Sequence, residues 1–78
     1  MNRKERRAHV GVAPGRIEWV MWGGRRVLVR EVITWWDEPA APWEGHAERH
    51  YARLLLATGA VLEIYHEGER WTVCGVED

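Results

Sequence analysis

Two runs of alternating apolar residues, joined by consecutive glycines, constrain the fold of this chain most strongly. In the first run, Arg16–Trp22, the apolar side chains of Ile17, Trp19 and Met21 share one parity. Alternate residues of a strand point to the same face, so we expect Trp19 to lie on the core face together with Ile17. Gly23–Gly24 then supplies a two-residue hairpin turn, because glycine adopts positive φ without steric cost. The second run, Arg25–Trp36, is rich in Val and Ile and is typical of a long strand.

The alternation of the second run is interrupted. Val27 and Val29 share a face, whereas Val32 has the opposite parity. A β-bulge near Arg30–Glu31 would return all three to one core face and bend the strand. The sequence therefore predicts a strongly bent sheet or a small barrel.

A proline-containing loop follows the long strand. Residues 37–45 include Pro39 and Pro42, which exclude regular structure. Trp43 lies within this loop, where a Trp either pins the loop on the core or is exposed as a contact residue. We expect it to pin the loop.

The segment His46–Ala57 fits two structures. Its Ala, Glu, Arg and Leu content favours a helix, which a glycine at position 59 would end. However, Thr58–Gly59 also forms a good hairpin turn, and two further strands, Ala60–His66 and Arg70–Val76, follow it. We interpret His46–Ala57 mainly as a strand.

The first fifteen residues are polar and broken by Gly11, Pro14 and Gly15. We expect residues 1–15 to form a flexible basic tail, with order only near Val10–Val12, and residues 16–78 to form a single small β domain. A basic tail of this kind can contact phosphates, although it is more often merely solvated.

Six tryptophans in 78 residues suit a chain that must build a core from few residues, because each buried Trp removes about 150–250 Å² from water. The net charge of −1 differs from that of a strongly cationic nucleic-acid binder. The chain has no apolar signal segment and no membrane-length apolar run. We therefore expect a cytoplasmic protein.

Catalytic groups are scarce. Cys74 is the only thiol, serine is absent, and no threonine has a recognisable base partner. Cys74 is best interpreted as a small buried hydrophobe. We expect neither enzymatic activity nor a cofactor.

The segment from Trp22 to Trp36 resembles a bacterial family of Trp-rich domains of unknown function. The pattern of the family begins with an aromatic residue and Gly-Arg. A hydrophobic strand containing Val-Arg-Glu-Val follows, and then a Trp. Here the matching residues are Trp22, Gly24, Arg25, Val29, Arg30, Glu31, Val32, Ile33 and Trp36. Later matches are Trp43, Tyr51, Gly59, Leu62, Tyr65, Trp71 and Asp78.

The resemblance covers about residues 16 to 78. It implies an association with Y-family DNA-polymerase-like mutagenesis and repair proteins, and hence a role in DNA damage tolerance. It implies no activity, and it favours the strand interpretation of residues 46–57.

Arginine interleaved with aromatic side chains is the combination that small barrels use to bind single strands, by base stacking and phosphate contact. The alternative is that the rings are core and each Arg pairs with an acid. The candidate binding residues, for nucleic acid or another partner, are Arg25, Arg26, Arg30, Trp36, Trp43, Arg49, Tyr51, Arg53 and Trp71.

Histidines raise a separate question about metal binding. His46 and His50 alternate along one strand and His66 could approach from a neighbour, and zinc accepts such ligands. The spacing lacks the close ligand pairs of structural zinc sites, so we expect an exposed polar face and no metal.

The sequence thus predicts an all-β, five-stranded antiparallel meander, either a strongly bent sheet or an SH3-like barrel. The leading hypothesis is a non-catalytic accessory domain of DNA repair or damage tolerance that contacts DNA or RNA. The competing hypothesis is a module that docks a partner peptide, such as one from a DNA-repair protein, on an aromatic groove or strand edge. No membrane partner is expected, and the sequence leaves the oligomeric state open.

Overall fold

The computed structural model describes residues 5–77 of the chain. Seven strands and one short 3-10 turn, Pro42–Glu44, account for most of them. In chain order the strands are β1 (Arg6–Ala8), β2 (Val10–Ala13), β3 (Arg16–Trp22), β4 (Arg25–Glu38), β5 (Arg49–Leu56), β6 (Val61–Glu67) and β7 (Arg70–Glu77).

All seven strands belong to one antiparallel sheet in the order β1-β7-β6-β5-β4-β3-β2, which curls strongly into a half-barrel. Strands β3 to β7 follow one another across the sheet, so the predicted all-β meander and its bend are confirmed. Strand β5 confirms the strand interpretation of residues 46–57, and the helical alternative is wrong.

The predicted five strands are corrected to seven, because β1 and β2 form within the expected tail. Strand β1 pairs with β7, and β2 pairs with β3. Only His9 separates β1 from β2 in the sequence, yet the two strands lie at opposite edges of the sheet. This segment contributes only Ala8 to the buried core, with Val10 packed partly against it. Backbone pairing rather than side-chain alternation therefore orders it. Residues 1–4 of the expected tail lie outside the described residues, as does Asp78.

Two bulges bend β4. Val29 pairs with Leu56 and Glu31 with Leu55, which leaves Arg30 as an extra residue and confirms the predicted bulge. A second bulge at Ile33 follows. The first bulge returns Val32 to the core side of the sheet, as the broken alternation required.

A further bulge in β3 corrects the position of Trp19. Gly11 pairs with Trp19 and Val12 with Ile17, so Glu18 is the extra residue. Ile17 and Val20 consequently share the core, whereas Trp19 does not join it. The prediction that Trp19 shares the core face of Ile17 is wrong because the bulge reverses the parity between them.

The core lies on the concave side of the sheet. Its completely buried side chains include Leu54, Leu56, Leu62 and Ile64, with Trp22 and Trp71 packed against their cluster. A smaller cluster on the other face of β5 and β6 joins Tyr51, Tyr65 and Cys74, with Trp36 packed against it. Cys74 is buried, as expected, and its thiol lies 3.5 Å from the carbonyl oxygen of Glu63.

Trp43 does not pin its loop, contrary to the expectation. Its side chain is 82% exposed, and Ala41 instead is buried at the base of the loop. Within residues 5–77 there is no helix whose length and apolar character would let it cross a membrane.

Candidate functional site

The arginines of the described chain divide into two groups. Arg16, Arg49 and Arg53 form ion pairs with glutamates at distances of 3.3, 3.0 and 2.7 Å, respectively. The others have no carboxylate within ion-pair distance among residues 5–77. These unpaired arginines are Arg6, Arg7, Arg25, Arg26, Arg30 and Arg70.

The convex face of β4, β5 and β6 carries a row of three aromatic rings. Trp36 stacks on Tyr51 with 5.1 Å between ring centroids, and Tyr51 lies 5.1 Å from Tyr65. The Arg49 guanidinium lies 4.4 Å from the Tyr65 ring centroid and is hydrogen-bonded to Glu67. The row contains two of the predicted binding residues, Trp36 and Tyr51, and a third, Arg49, lies against it; the rings contact one another.

Electrostatics on this face are satisfied internally. The hydrogen bond between Arg49 and Glu67 raises the pKa of the guanidinium and lowers the pKa of the carboxyl. Burial raises the pKa of the Tyr51 hydroxyl. Arg53 contacts Glu77 and lies 3.9 Å from Glu63. The structure therefore places Arg49, Tyr51 and Arg53 in the arrangement expected if these residues serve the fold.

A different surface forms around β1, where two adjoining grooves share Arg7. The first, the Trp19–Trp71 groove, has a volume of about 370 Å³ and is lined by Arg7, Ala8, His9, Val10, Trp19, Glu69, Arg70 and Trp71. The second, the hairpin groove, has a volume of about 420 Å³ and is lined by Arg6, Arg7, Met21, Trp22, Gly23, Gly24 and Val73. No carboxylate among the described residues lines the hairpin groove.

Local backbone features create this surface. The bulge at Glu18 directs Trp19 away from the core and over Gly11, where a β-carbon would overlap the indole nitrogen. The Arg26 guanidinium lies 4.3 Å from the centre of the Trp19 ring, a cation–π distance. Gly23 adopts positive φ in the hairpin turn, with open space around its α-carbon.

Trp71 is held by a row of rings on the concave side. It lies 4.6 Å from the His66 ring, which in turn lies 4.7 Å from the His50 ring. His50 Nδ1 lies 2.7 Å from an Asp37 carboxylate oxygen and its Nε2 lies 3.0 Å from Glu48. The hydrogen bond to Asp37 raises the pKa of His50.

The candidate metal ligands do not form a site among the described residues, although the His50 and His66 rings lie 4.7 Å apart. His46 Nδ1 lies 2.8 Å from the Ala47 carbonyl oxygen, and His66 Nδ1 lies 3.2 Å from that of Gly68. Both nitrogens of His50 face carboxylates. Within residues 5–77, no three or more His, Cys, Asp or Glu side chains are arranged to hold a metal ion.

Other predicted binding residues are dispersed. Trp71 lines the first groove, and Arg26 lies over Trp19, which also lines it. Arg25 is exposed beside the hairpin turn, and Arg30 lines a separate hollow together with two glutamates. Trp36 and Trp43 line neither groove.

Trp71 is the only predicted binding residue that lines either groove. The basic run at the start of the chain is the signal for Arg6 and Arg7, but its composition predicts a tail. Alternation predicts Trp19 in the core, and Trp22 belongs to the pattern of the family resemblance. The missed residues that we include in the Arg–Trp surface are Arg6, Arg7, Trp19, Trp22 and Arg70, which together with the predicted Trp71 complete it.

Comparison of the chain with protein-family models, with curated proteins and with solved structures found no match.

Proposed function

We propose that this domain binds single-stranded nucleic acid, without catalysis, through the Arg–Trp surface. The observation that carries the proposal is a group of unpaired arginines beside Trp side chains. Arg6, Arg7 and Arg70 lack ion-pair partners among residues 5–77 and line grooves that also contain Trp side chains. Glu69 is the only acidic residue, among those described, that lines either groove, and an adjoining hollow brings Arg7 and Arg70 together with Glu5 and Glu67.

The chemistry of these side chains matches the two parts of a nucleotide. Guanidinium groups form bidentate contacts with phosphate oxygens. Indole rings provide stacking surfaces for bases, worth about 1–3 kcal/mol per base. Bases in a duplex already stack on one another, so partly exposed Trp rings favour an unpaired strand.

The setting that we propose is DNA repair or damage tolerance. Its support is the family resemblance of residues 16–78 described above. An accessory domain that holds a single strand would suit this setting, since damage tolerance exposes unpaired template.

The competing peptide-docking hypothesis has less support. Strand β4 pairs with β5 alone beyond Leu28, so a free strand edge exists, but the unpaired arginines around β1 suit an anionic ligand better than a peptide strand. The hairpin groove also lacks the carboxylate rim, among described residues, that a basic peptide would require.

The proposal is tested by titrating Trp fluorescence with oligonucleotides of about 12 nucleotides, single-stranded and duplex, at about 50 and about 200 mM salt. We expect stronger quenching and tighter binding with the single strand, and weaker binding at the higher salt concentration. The absence of salt-sensitive quenching at micromolar protein would overturn the proposal.

Charge removal supplies the matched control. We expect Arg7→Ala and Arg70→Ala each to weaken binding and to reduce the slope of log affinity against log salt by about 1. Arg30→Ala removes an equally unpaired arginine outside both grooves and should leave affinity nearly unchanged. Equal losses in all three variants would indicate binding by net charge alone.

A further inference from the structure

Trp43 lies on a loop whose backbone is fixed by its own hydrogen bonds. Residues 41–46, the Trp43 loop, are closed by paired bonds between Ala41 and His46, with N–O distances of 2.9 and 3.3 Å. The Glu44 amide donates to Ala41 and the Gly45 amide to Pro42. The turn thus holds the Trp43 backbone without contacts from its exposed side chain.

The combination of order and exposure distinguishes this side chain. Trp43 is 82% exposed and belongs to neither core cluster of the described chain. A preorganised backbone reduces the entropy lost on association, and Trp is enriched among the residues that dominate binding energy. The Trp43 loop therefore has the properties of a docking anchor.

Charge around the anchor disfavours nucleic acid as its partner. Residues 37–48 contain no lysine or arginine, and their acidic members are Asp37, Glu38, Glu44 and Glu48. Asp37 and Glu48 contact His50, so the exposed carboxylate of Glu44, next to Trp43, is the one that would most directly repel phosphates. A partner for this loop should instead offer positive charge around a concave aromatic surface.

The Trp19–Trp71 groove of a second copy has that chemistry. It combines the unpaired Arg7 and Arg70 with Glu69 and two partly buried indole rings, whose edges a third aromatic ring can contact. The groove and the loop share no residue. We propose that the Trp43 loop of one copy docks into the Trp19–Trp71 groove of another, head to tail.

This contact goes beyond nucleic-acid binding, because it would form in the absence of any oligonucleotide. Each head-to-tail contact leaves one loop and one groove free, so repetition builds a ring or an open chain of copies. Nucleic acid would compete with the loop for Arg7 and Arg70.

Analytical ultracentrifugation without nucleic acid tests the contact, from about 10 μM to about 1 mM protein, a range that includes weak affinities. We expect the average mass to rise with concentration and to fall at high salt, because screening weakens charge complementarity. Trp43→Ala should remove the association. Trp35→Ala, which removes another exposed Trp outside loop and groove, should retain it.

Mixing two defective variants gives the decisive result. Arg70→Glu has an altered groove and an intact loop, whereas Trp43→Ala has the reverse. Each should be monomeric alone, and their mixture should form one-to-one heterodimers that cannot extend. A heterodimer also shows that both variants are folded.

Three results would overturn the proposal. These are a monomeric wild-type protein at about 1 mM, unchanged association of Trp43→Ala, and failure of the two variants to form heterodimers. Loss of oligonucleotide binding in Trp43→Ala equal to that in Arg70→Ala would instead assign nucleic acid to the loop. The three results that overturn the contact do not depend on the single-strand proposal, which the fluorescence titration tests separately.

Discussion

Individual tryptophans of this chain occupy different environments, and their roles differ accordingly. Trp22 and Trp71 pack against the main core, and Trp36 packs against the smaller cluster. Trp19 lies outside both clusters, between Gly11 and the Arg26 guanidinium. The position of Trp19 therefore depends on the missing side chain of a neighbouring residue.

We expect Gly11→Ala to displace Trp19, since the new methyl group would overlap the indole ring. The cost should be about 1–3 kcal/mol in unfolding free energy, or less if the indole swings into solvent. In either case oligonucleotide affinity should fall. Melting temperature, Trp emission and fluorescence titration measure these effects. Val12→Ala, at an exposed position of the same strand, is the control, and unchanged emission in Gly11→Ala would contradict the prediction.

His50 offers a second prediction at the residue scale. Its pKa is raised in the folded state by Asp37, so its contribution to stability is complete below its unfolded pKa of about 6.5. That contribution is lost as pH rises through the folded pKa. The melting temperature of Asp37→Asn should therefore depend less on pH than that of the wild type between about pH 6 and about pH 8. Parallel curves for the two proteins would refute this.

At the scale of elements, strand β4 shows how a long strand serves a curled sheet. Its first bulge, at Arg30, keeps Val32 on the core side with Val27 and Val29, and the second, at Ile33, follows these residues as the strand continues across the half-barrel. Between the two bulges, Val32 of β4 pairs with Leu54 of β5. The Leu54 side chain is completely buried. The bend and the core thus depend on each other.

Replacing Leu54 by alanine tests this dependence. We expect Leu54→Ala to reduce the unfolding free energy by about 2–5 kcal/mol through lost burial and a residual cavity. Leu28→Ala in β4 removes a side chain that is 61% exposed and should change it by no more than about 0.5 kcal/mol. Urea denaturation measures both values. Similar losses for the two variants would show that burial does not govern this part of the sheet.

Across the whole molecule, charge is sorted by position. Arginines of the convex face pair with glutamates across strands, whereas arginines around β1 remain unpaired within the described chain. The acidic residues of the segment 37–48 flank the exposed Trp43 in the sequence. The basic surface and the acidic loop offset each other in the net charge of −1. For this reason the composition alone argues against nucleic-acid binding.

Local patterns were sufficient to predict the meander. Alternation and glycine turns identify β3 to β7, and the broken parity at Val32 locates the first bulge. The rest depends on pairing between distant residues. The side chain of Trp19 changes face because of a bulge at Glu18, and β1 forms because β7 provides its backbone partner. The candidate site was largely missed for the same reason, since it is assembled around β1.

The pairing of β1 with β7 also has a consequence for folding. Arg6 lies opposite Val73, so this contact cannot form until Val73 has been synthesised. Contacts of such large sequence separation slow folding, because loop closure precedes any gain from pairing. On the ribosome, the Arg–Trp surface would therefore be among the last features to appear, after the hairpins of the meander have formed.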